Sequence, residues 1–317
     1  MDLYPYETLS QKNDDYTLYH QKTIVAEKLI GQERFADALK FYDTLIGSHD
    51  YVFLRDFKIA TQLALSVGQD KKAASYLRQA VLGGWKMKEI RKNKFLDPLQ
   101  ATDEFKHLSR EYKSLRATYE ASLDAGLRKR VKKMASSDQS KAFGALFTFS
   151  STAQDRYAEN KFAPHSEKQM AELKEILKVH GYPGERLIGN NFWMSTILSH
   201  HNSISKDYNF KDTIYPALKP RLVEALAKGM VSPFELALID EWYRAVKSGR
   251  TDPAGYGILD PPSREALQRF DALRETVFLR PIELRNRLVE IQQKTGMNFY
   301  LPGEPWVKGK VEAVQNE

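Results

Sequence analysis

Several common features are missing from this 317-residue chain, and each absence narrows the range of functions. There is no cysteine, which excludes disulfides and thiolate-bound metals. No apolar run approaches the ~20 residues that a membrane-spanning helix needs, so we expect no transmembrane segment. HExxH, GxSxG and GxxxxGK[ST] motifs are also absent, and with them the usual signs of a zinc protease, an α/β-hydrolase or a P-loop. We therefore expect no metal and no cofactor.

The positive charge of the chain is concentrated in one stretch. The net charge is +7, and residues 86–141 contain 15 Lys and Arg against 8 Asp and Glu, which accounts for the whole excess. The most basic part is RKRVKK, a predicted helical surface made of Arg128, Lys129, Arg130, Lys132 and Lys133. Such a surface is either a solvated face or a contact for an anionic membrane. Nucleic acid is disfavoured, because the sequence has no recognition-helix motif or zinc knuckle.

The first hundred residues contain a repeat. Residues 34–46 and 71–81 align with Ala38 over Ala73, an offset of 35 residues. This spacing is close to the ~34-residue tetratricopeptide period, in which small residues let paired helices approach closely. The predicted partner helices span 17–29 and 53–66. We expect residues 1–108 to form tetratricopeptide-like helical repeats with a cap.

The middle of the chain is predicted to separate two domains. Apolar residues recur at helical spacing over 109–134, which predicts one long basic helix. Turn-type residues follow over 135–165, so we assign 109–165 to the long helix and a linker. The helical domain of the second half is then expected over 166–317.

The second half is divided by helix start and stop signals. Ser166 and Gln169 form an apparent capping box, and Ser232 precedes a proline and a glutamate at the preferred starting positions. Ser263 and Pro281 are predicted to start two further helices, the last of which ends at Gly296. No segment shows strand alternation of useful length. The predicted fold is all-α, with a short tetratricopeptide-like helical-hairpin array followed by a C-terminal helical bundle domain.

Four short motifs of the second half occur in a familiar order: LKEILKVHGYPGERLIG at 173–189, GMVSPFELALIDEWY at 229–243, Gly-Tyr-Gly at 255–257 and LRNRLVEIQQKTGM at 284–297. With His201 between the first two, residues 168–302 resemble a bacterial helical family catalogued as a domain of unknown function. Members often carry a tetratricopeptide-like stretch in front. The resemblance implies a helical architecture and marks His201 and Asp240, but it supplies no activity.

The same resemblance bears on location and on the histidine pair. Many relatives begin with an export signal, which implies a mature periplasmic or cell-surface protein. The stretch MDLYPYETLSQKNDDY at the start has no basic or apolar region of a signal peptide, so a cytoplasmic location is the alternative. Relatives more often read Gln-His followed by an acidic residue, whereas this chain has His200, His201 and Asn202.

Candidate site residues lie in the second half. A pair of His201 and Asp240 could act as a general base and the group that orients it, or form a buried structural hydrogen bond. Adjacent helical side chains diverge by ~100°, so His200 and His201 are not expected to share a metal. Further candidates for ligand or partner binding are His180, His200, Arg250 and Tyr256. Packing of Tyr256 against the bundle is the alternative for that residue.

These observations favour a non-enzymatic helical scaffold that binds a protein or peptide partner. Stacked helix pairs present a concave surface for such a partner, or they merely support the C-terminal bundle. The alternative function is a hydrolase-type enzyme that uses His201 and Asp240. The sequence favours the scaffold, since no complete catalytic set accompanies the pair.

Overall fold

The fold is all-α. The computed structural model describes residues 15–144, 151–249, 255–301, 307 and 309–314. Over these residues there is no strand, and Ser263 and Val314 form an isolated bridge. None of the helices in the described ranges is long and apolar enough to cross a bilayer.

Four helices of similar length form the first part of the fold. All four predicted segments are helical, as α1 (Tyr16–Gly31), α2 (Phe35–Ser48), α3 (Leu54–Ser66) and α4 (Asp70–Leu82). Ala38 and Ala73 are fully buried, so a larger side chain at either position would meet a neighbouring helix. Asp43 of α2 accepts hydrogen bonds from Lys72 and Tyr76 of α4, which ties the two repeated segments together.

The prediction of one long helix over 109–134 is wrong. After the short α5 (Met87–Lys92), a 3₁₀ turn (Lys94–Leu96) and α6 (Asp97–Gln100), the chain forms α7 (Asp103–Ala121) and α8 (Ala125–Ala142). The break has a physical cause, because the side chain of Asp124 accepts a hydrogen bond from the Leu127 N–H at 2.8 Å and so caps α8. The apolar periodicity continues across the break, which hides it in the sequence.

The capping box expected at 166–169 is also wrong. The chain enters through α9 (Ser151–Tyr157) and a π-helical turn (Ala158–Phe162), and α10 (Ala163–Val179) continues directly from that turn. Ser166 and Gln169 therefore lie inside a helix, where both are buried. Gln169 donates to the Met134 carbonyl of α8 at 2.8 Å, so its amide holds two helices together.

The remaining helices belong to the second half of the chain. They are α11 (Glu185–Ile188), α12 (Trp193–Asn202), α13 (Lys206–Lys211), α14 (Ile214–Ala227), α15 (Pro233–Lys247), a 3₁₀ turn (Arg264–Ala266), α16 (Leu267–Thr276) and α17 (Ile282–Thr295). Ser232 caps α15 as predicted, accepting from the Glu235 N–H at 3.2 Å. Gly296 ends α17 in the left-handed region at φ +77°. Ser263 makes no capping hydrogen bond to the turn that follows it.

Two large apolar cores lie inside the molecule. The first is built from α1 to α7, and the second from α8, α10, α12, α14 and α15. Leu288 and Ile291 of α17, together with Met297 and Phe299, belong to the first core. The end of the expected 166–317 domain thus packs among the first helices, and burial of its apolar surface stabilises that association.

A buried ion cluster links the two halves. Glu27 of α1 is 1% exposed and accepts from Arg55 of α3 at 2.7 Å and from Arg280 at 2.5 and 2.7 Å. Burial raises the pKa of a carboxyl group, but the two guanidinium groups outweigh it and hold the pKa of Glu27 below its ordinary value. Glu27 is therefore a charged link between the first helices and the segment that leads into α17.

Candidate functional site

His201 does not pair with Asp240. It lies near the end of α12, is fully buried, and its Nδ1 is 2.9 Å from the hydroxyl oxygen of Ser166. Its Nε2 lies 3.6 Å from an oxygen of Asp212, just before α14. The expected His201–Asp240 pair is thus replaced by a row of three groups, Ser166, His201 and Asp212. The predicted histidine is in a polar site, but with a different carboxylate.

Asp212 both caps a helix and faces the histidine. Its two oxygens accept from the N–H groups of Ile214 at 2.8 Å and Tyr215 at 3.2 Å. Burial raises the pKa of its carboxyl group, but the contact with His201 and the bond from Ile214 outweigh it, so the pKa of Asp212 is lowered. The carboxylate is therefore held in its charged form next to the imidazole.

A surface cleft opens beside Asp212. Its volume is about 310 Å³, and it is lined by Glu159, Glu167, Asp207, Tyr208, Lys211, Asp212, Thr213 and Ile214. The Tyr208 ring stands edge-on to the His201 ring at 5.6 Å, so it separates the imidazole from the cleft. Ser166 and His201 are both fully buried, so neither is exposed to the cleft. In the described part of the chain, no group of three or more His, Asp or Glu side chains is arranged to hold a metal.

Asp240 lies at the centre of a separate cluster. Its carboxylate is 1% exposed and accepts from the hydroxyls of Tyr215 and Tyr256, both at 2.9 Å. It also contacts Lys219 Nζ and Arg244 Nε, both at 2.7 Å. Burial opposes the charge of Asp240, but Lys219 and Arg244 outweigh it and lower its pKa. We call these five residues the Asp240 cluster. It includes Tyr256, one of the predicted site residues, in a buried position.

The other predicted site residues are dispersed. His200 Nδ1 lies 2.5 Å from the buried carboxylate of Asp138 of α8. His180, at the C-terminal end of α10, does not converge on His201, because its Nδ1 lies 3.5 Å from Asp124, the N-cap of α8. Arg250 lies outside the described residues. The structure therefore gathers Asp240 and Tyr256 and places each histidine beside a different aspartate.

The predicted basic surface is largely exposed. Lys129, Lys132 and Lys133 face solvent, and Arg130 reaches Glu172 of α10 at 2.6 Å. Arg128 differs, since its guanidinium donates to the Ile188 carbonyl and lies 5.1 Å from the centre of the Trp193 ring. Arg128 is consequently tied to the second half and is less exposed than the neighbouring lysines.

Sequence reasoning missed a groove on the first helices that holds the chain's own segment 297–301. Gln62 of α3 pairs with the backbone of Asn298, donating to its carbonyl and accepting from its N–H, both at 2.8 Å. Arg55 Nε donates to the Phe299 carbonyl at 3.1 Å. We call this site the α3 groove. Lys58, Trp85 and Asn93 complete it, since all three contact the Tyr300 side chain.

Two of the missed features leave signals in the sequence. Asp212 and Thr213 precede an apolar helix, which is the composition of a helix cap, and a capping carboxylate near a histidine is a reasonable ionic partner. Phe299 and Tyr300 follow the glycine that ends α17, where an aromatic pair indicates an anchored segment. No local signal links these aromatic residues to α3, because the contact spans over 230 residues of sequence.

Comparisons with known proteins gave no match for this chain. No protein-family model matches the chain, and neither a curated protein nor a solved structure matches it significantly.

Proposed function

We propose that this chain is a non-enzymatic helical interaction protein whose first helices bind an extended peptide segment of a partner. The observation that carries the proposal is the α3 groove, which already binds one peptide segment, residues 297–301 of the same chain. In this proposal α1 to α4 form the tetratricopeptide-like array, and α3 contributes its inner face. The resemblance of the second half to a bacterial helical family stays part of this proposal and adds no activity to it.

The groove contacts the backbone of its occupant. A side-chain amide that pairs with both the N–H and the C=O of one residue, as Gln62 does with Asn298, tolerates any side chain there. Arg55 adds a charge-assisted bond to the next carbonyl. Such contacts give affinity for an extended chain without fixing its sequence, which is how many peptide-binding domains work.

Specificity comes from two aromatic positions. Phe299 is fully buried in the first core. The Tyr300 ring meets the Trp85 ring at 6.2 Å and 87°, and Lys58 Nζ lies 4.6 Å from the centre of the Tyr300 ring. Aromatic pairs and cation–π contacts each contribute about 0.5 to 1.5 kcal/mol. A partner peptide for this groove therefore carries two consecutive aromatic residues.

Competition from the chain's own segment controls binding of a partner. A tethered segment acts at a millimolar effective concentration, so it competes strongly with a free peptide. Tyr300→Ala removes the Trp85 and Lys58 contacts of the resident segment while leaving Phe299 in place. At about 1 kcal/mol for each contact, this substitution should raise the affinity for a free peptide about thirtyfold.

The test is fluorescence anisotropy with a labelled peptide that spans residues 294–303. We expect saturable binding to the Tyr300→Ala chain, and weaker binding to the wild-type chain. A peptide with alanine in place of its tyrosine should bind the Tyr300→Ala chain about thirtyfold more weakly, because it cannot contact Trp85 and Lys58. The matched control chain is Gln79→Ala, at an exposed glutamine of α4, which should bind the peptide like wild type. Equal binding by all of these chains, or no binding by any, would contradict the proposal.

A hydrolase is the second candidate, and the Ser166–His201–Asp212 row favours it. An imidazole between a hydroxyl and a carboxylate is the arrangement of a nucleophile, a base and an orienting acid. This candidate requires that Tyr208 move away from His201 to admit substrate from the cleft. Its test is hydrolysis of small ester substrates by wild-type and His201→Ala chains. Equal rates for the two chains would exclude a role for this row.

A further inference from the structure

Two cationic side chains lie next to each other at the surface of the second core. Lys219 of α14 and Arg244 of α15 each lie 2.7 Å from a different oxygen of Asp240. Because one carboxylate holds both groups, their charged heads are neighbours. The two side chains are 36% and 34% exposed, whereas that of Asp240 is 1% exposed. Asp240 therefore holds the two cations on their buried side, and their outer sides are exposed to solvent.

The carboxylate beneath them is already saturated. Asp240 accepts from Tyr215 and Tyr256 as well as from the two cations, which uses the lone pairs of both oxygens. It carries one negative charge against two positive ones, so the Asp240 cluster keeps an excess positive charge. Asp240 thus fixes the position of the cations and leaves their remaining N–H donors for another acceptor.

A third cation extends the positive surface. Lys247 lies one turn further along α15 than Arg244, and its Nζ donates to the Tyr243 hydroxyl at 2.8 Å. The ring of Tyr243 packs 4.8 Å from the ring of Tyr215, which itself bonds to Asp240. Lys247 is consequently held on the same side of α15 as the cluster, and it increases the local positive charge.

We propose that Lys219 and Arg244 form a binding site for an oxyanion, a phosphate or carboxylate group of a ligand. The terminal N–H groups of Arg244 are free of the Asp240 contact, which uses Nε. A guanidinium fork matches two oxygens of a phosphate or carboxylate, and a lysine beside it adds a mobile point charge. The site is on the second core, so it is separate from the α3 groove and does not depend on the peptide-binding proposal.

The experiment measures binding of inorganic phosphate and, separately, acetate to the full chain by calorimetry at constant ionic strength. We expect saturable binding of at least one of the two anions to the wild-type chain. Arg244→Lys keeps a positive charge beside Asp240 but lacks the fork, and it should weaken binding about tenfold. The matched control is Lys228→Gln, at the C-terminal cap of α14, where the Lys228 amine pairs with Glu224 at 2.7 Å. This variant should bind the anion like the wild-type chain.

The outcomes separate the ligand classes. Preference for phosphate identifies a phosphorylated ligand, and preference for acetate identifies a carboxylate ligand. The proposal is overturned if neither anion binds the wild-type chain, or if Arg244→Lys binds as tightly as wild type. It is also overturned if Lys228→Gln loses as much affinity as Arg244→Lys, since the loss would then not be specific to the site beside Asp240. Unchanged thermal midpoints of the unliganded variants show that the comparison is between folded proteins.

Discussion

Replacing Glu27 with glutamine should weaken the contact between the two halves of the molecule and lower the free energy of unfolding. The substitution keeps the size of the side chain but leaves Arg280 without its buried anion and Arg55 with only Asp56, 3.6 Å away. Removing one partner of a buried ion pair costs about 3 to 5 kcal/mol. The arginine side chains are 24% and 12% exposed, so water partly replaces the lost carboxylate. We therefore expect a loss near the lower end, about 3 kcal/mol.

The assay is urea unfolding followed by tryptophan fluorescence, with Trp85 buried in the first core as one reporter. The pKa of Glu27 is lowered in the folded protein, so its contribution is present above the unfolded pKa and disappears as pH falls through the folded pKa. The difference between wild type and Glu27→Gln should thus shrink below about pH 4. Asp37→Asn, at an exposed ion pair, is the control and should leave the midpoint unchanged. A Glu27→Gln chain as stable as wild type at pH 7, or a difference that does not shrink as the pH falls below about 4, would contradict this role of Glu27.

Three further substitutions test other parts of the structure. Burial raises the pKa of Glu235 to about 7. Glu235 therefore ionises at lower pH in the unfolded chain than in the folded one, and stability falls as pH rises from about 4.3 to 7. Glu235→Gln should remove roughly 3 kcal/mol of that dependence, measured by thermal unfolding across this range. Gly229→Ala places a Cβ 2.3 Å from the Tyr16 ring at φ +65° and should cost at least about 2 kcal/mol in urea unfolding, whereas a neutral result would contradict the packing of α14 on α1. Asp124→Ala removes the cap of α8 and should cost about 1 kcal/mol, and no change in helix content or stability would contradict its capping role.

The helices were largely predictable because their signals are local. The period of apolar residues located α1 to α4, and the Ser232 cap and the Gly296 stop located the ends of α15 and α17. The break at Asp124 escaped because a cap inside a continuous apolar period interrupts the backbone without interrupting the pattern. Ser166 was misread for the opposite reason, since the same residue type that caps helices also forms buried hydrogen bonds.

The site residues were predictable as types and not as pairs. His201 and Asp240 are both buried polar residues, as the sequence suggested, yet each has other partners. Which carboxylate meets the imidazole depends on how α12, α14 and α15 cross, and a helix crossing is decided by packing between distant segments. The α3 groove was hidden for the same reason, because its occupant comes from the opposite end of the chain.

The central claim is that the α3 groove binds peptide segments through Gln62, and the side-chain amide resonance of Gln62 tests it directly. The Tyr300→Ala chain is titrated with the peptide spanning residues 294–303, and the amide is followed by NMR. Binding of the peptide in the α3 groove should shift the Gln62 amide signals saturably, with a smaller shift in the wild-type chain at the same peptide concentration. Gln62 signals that stay unchanged in the Tyr300→Ala chain at millimolar peptide would contradict it.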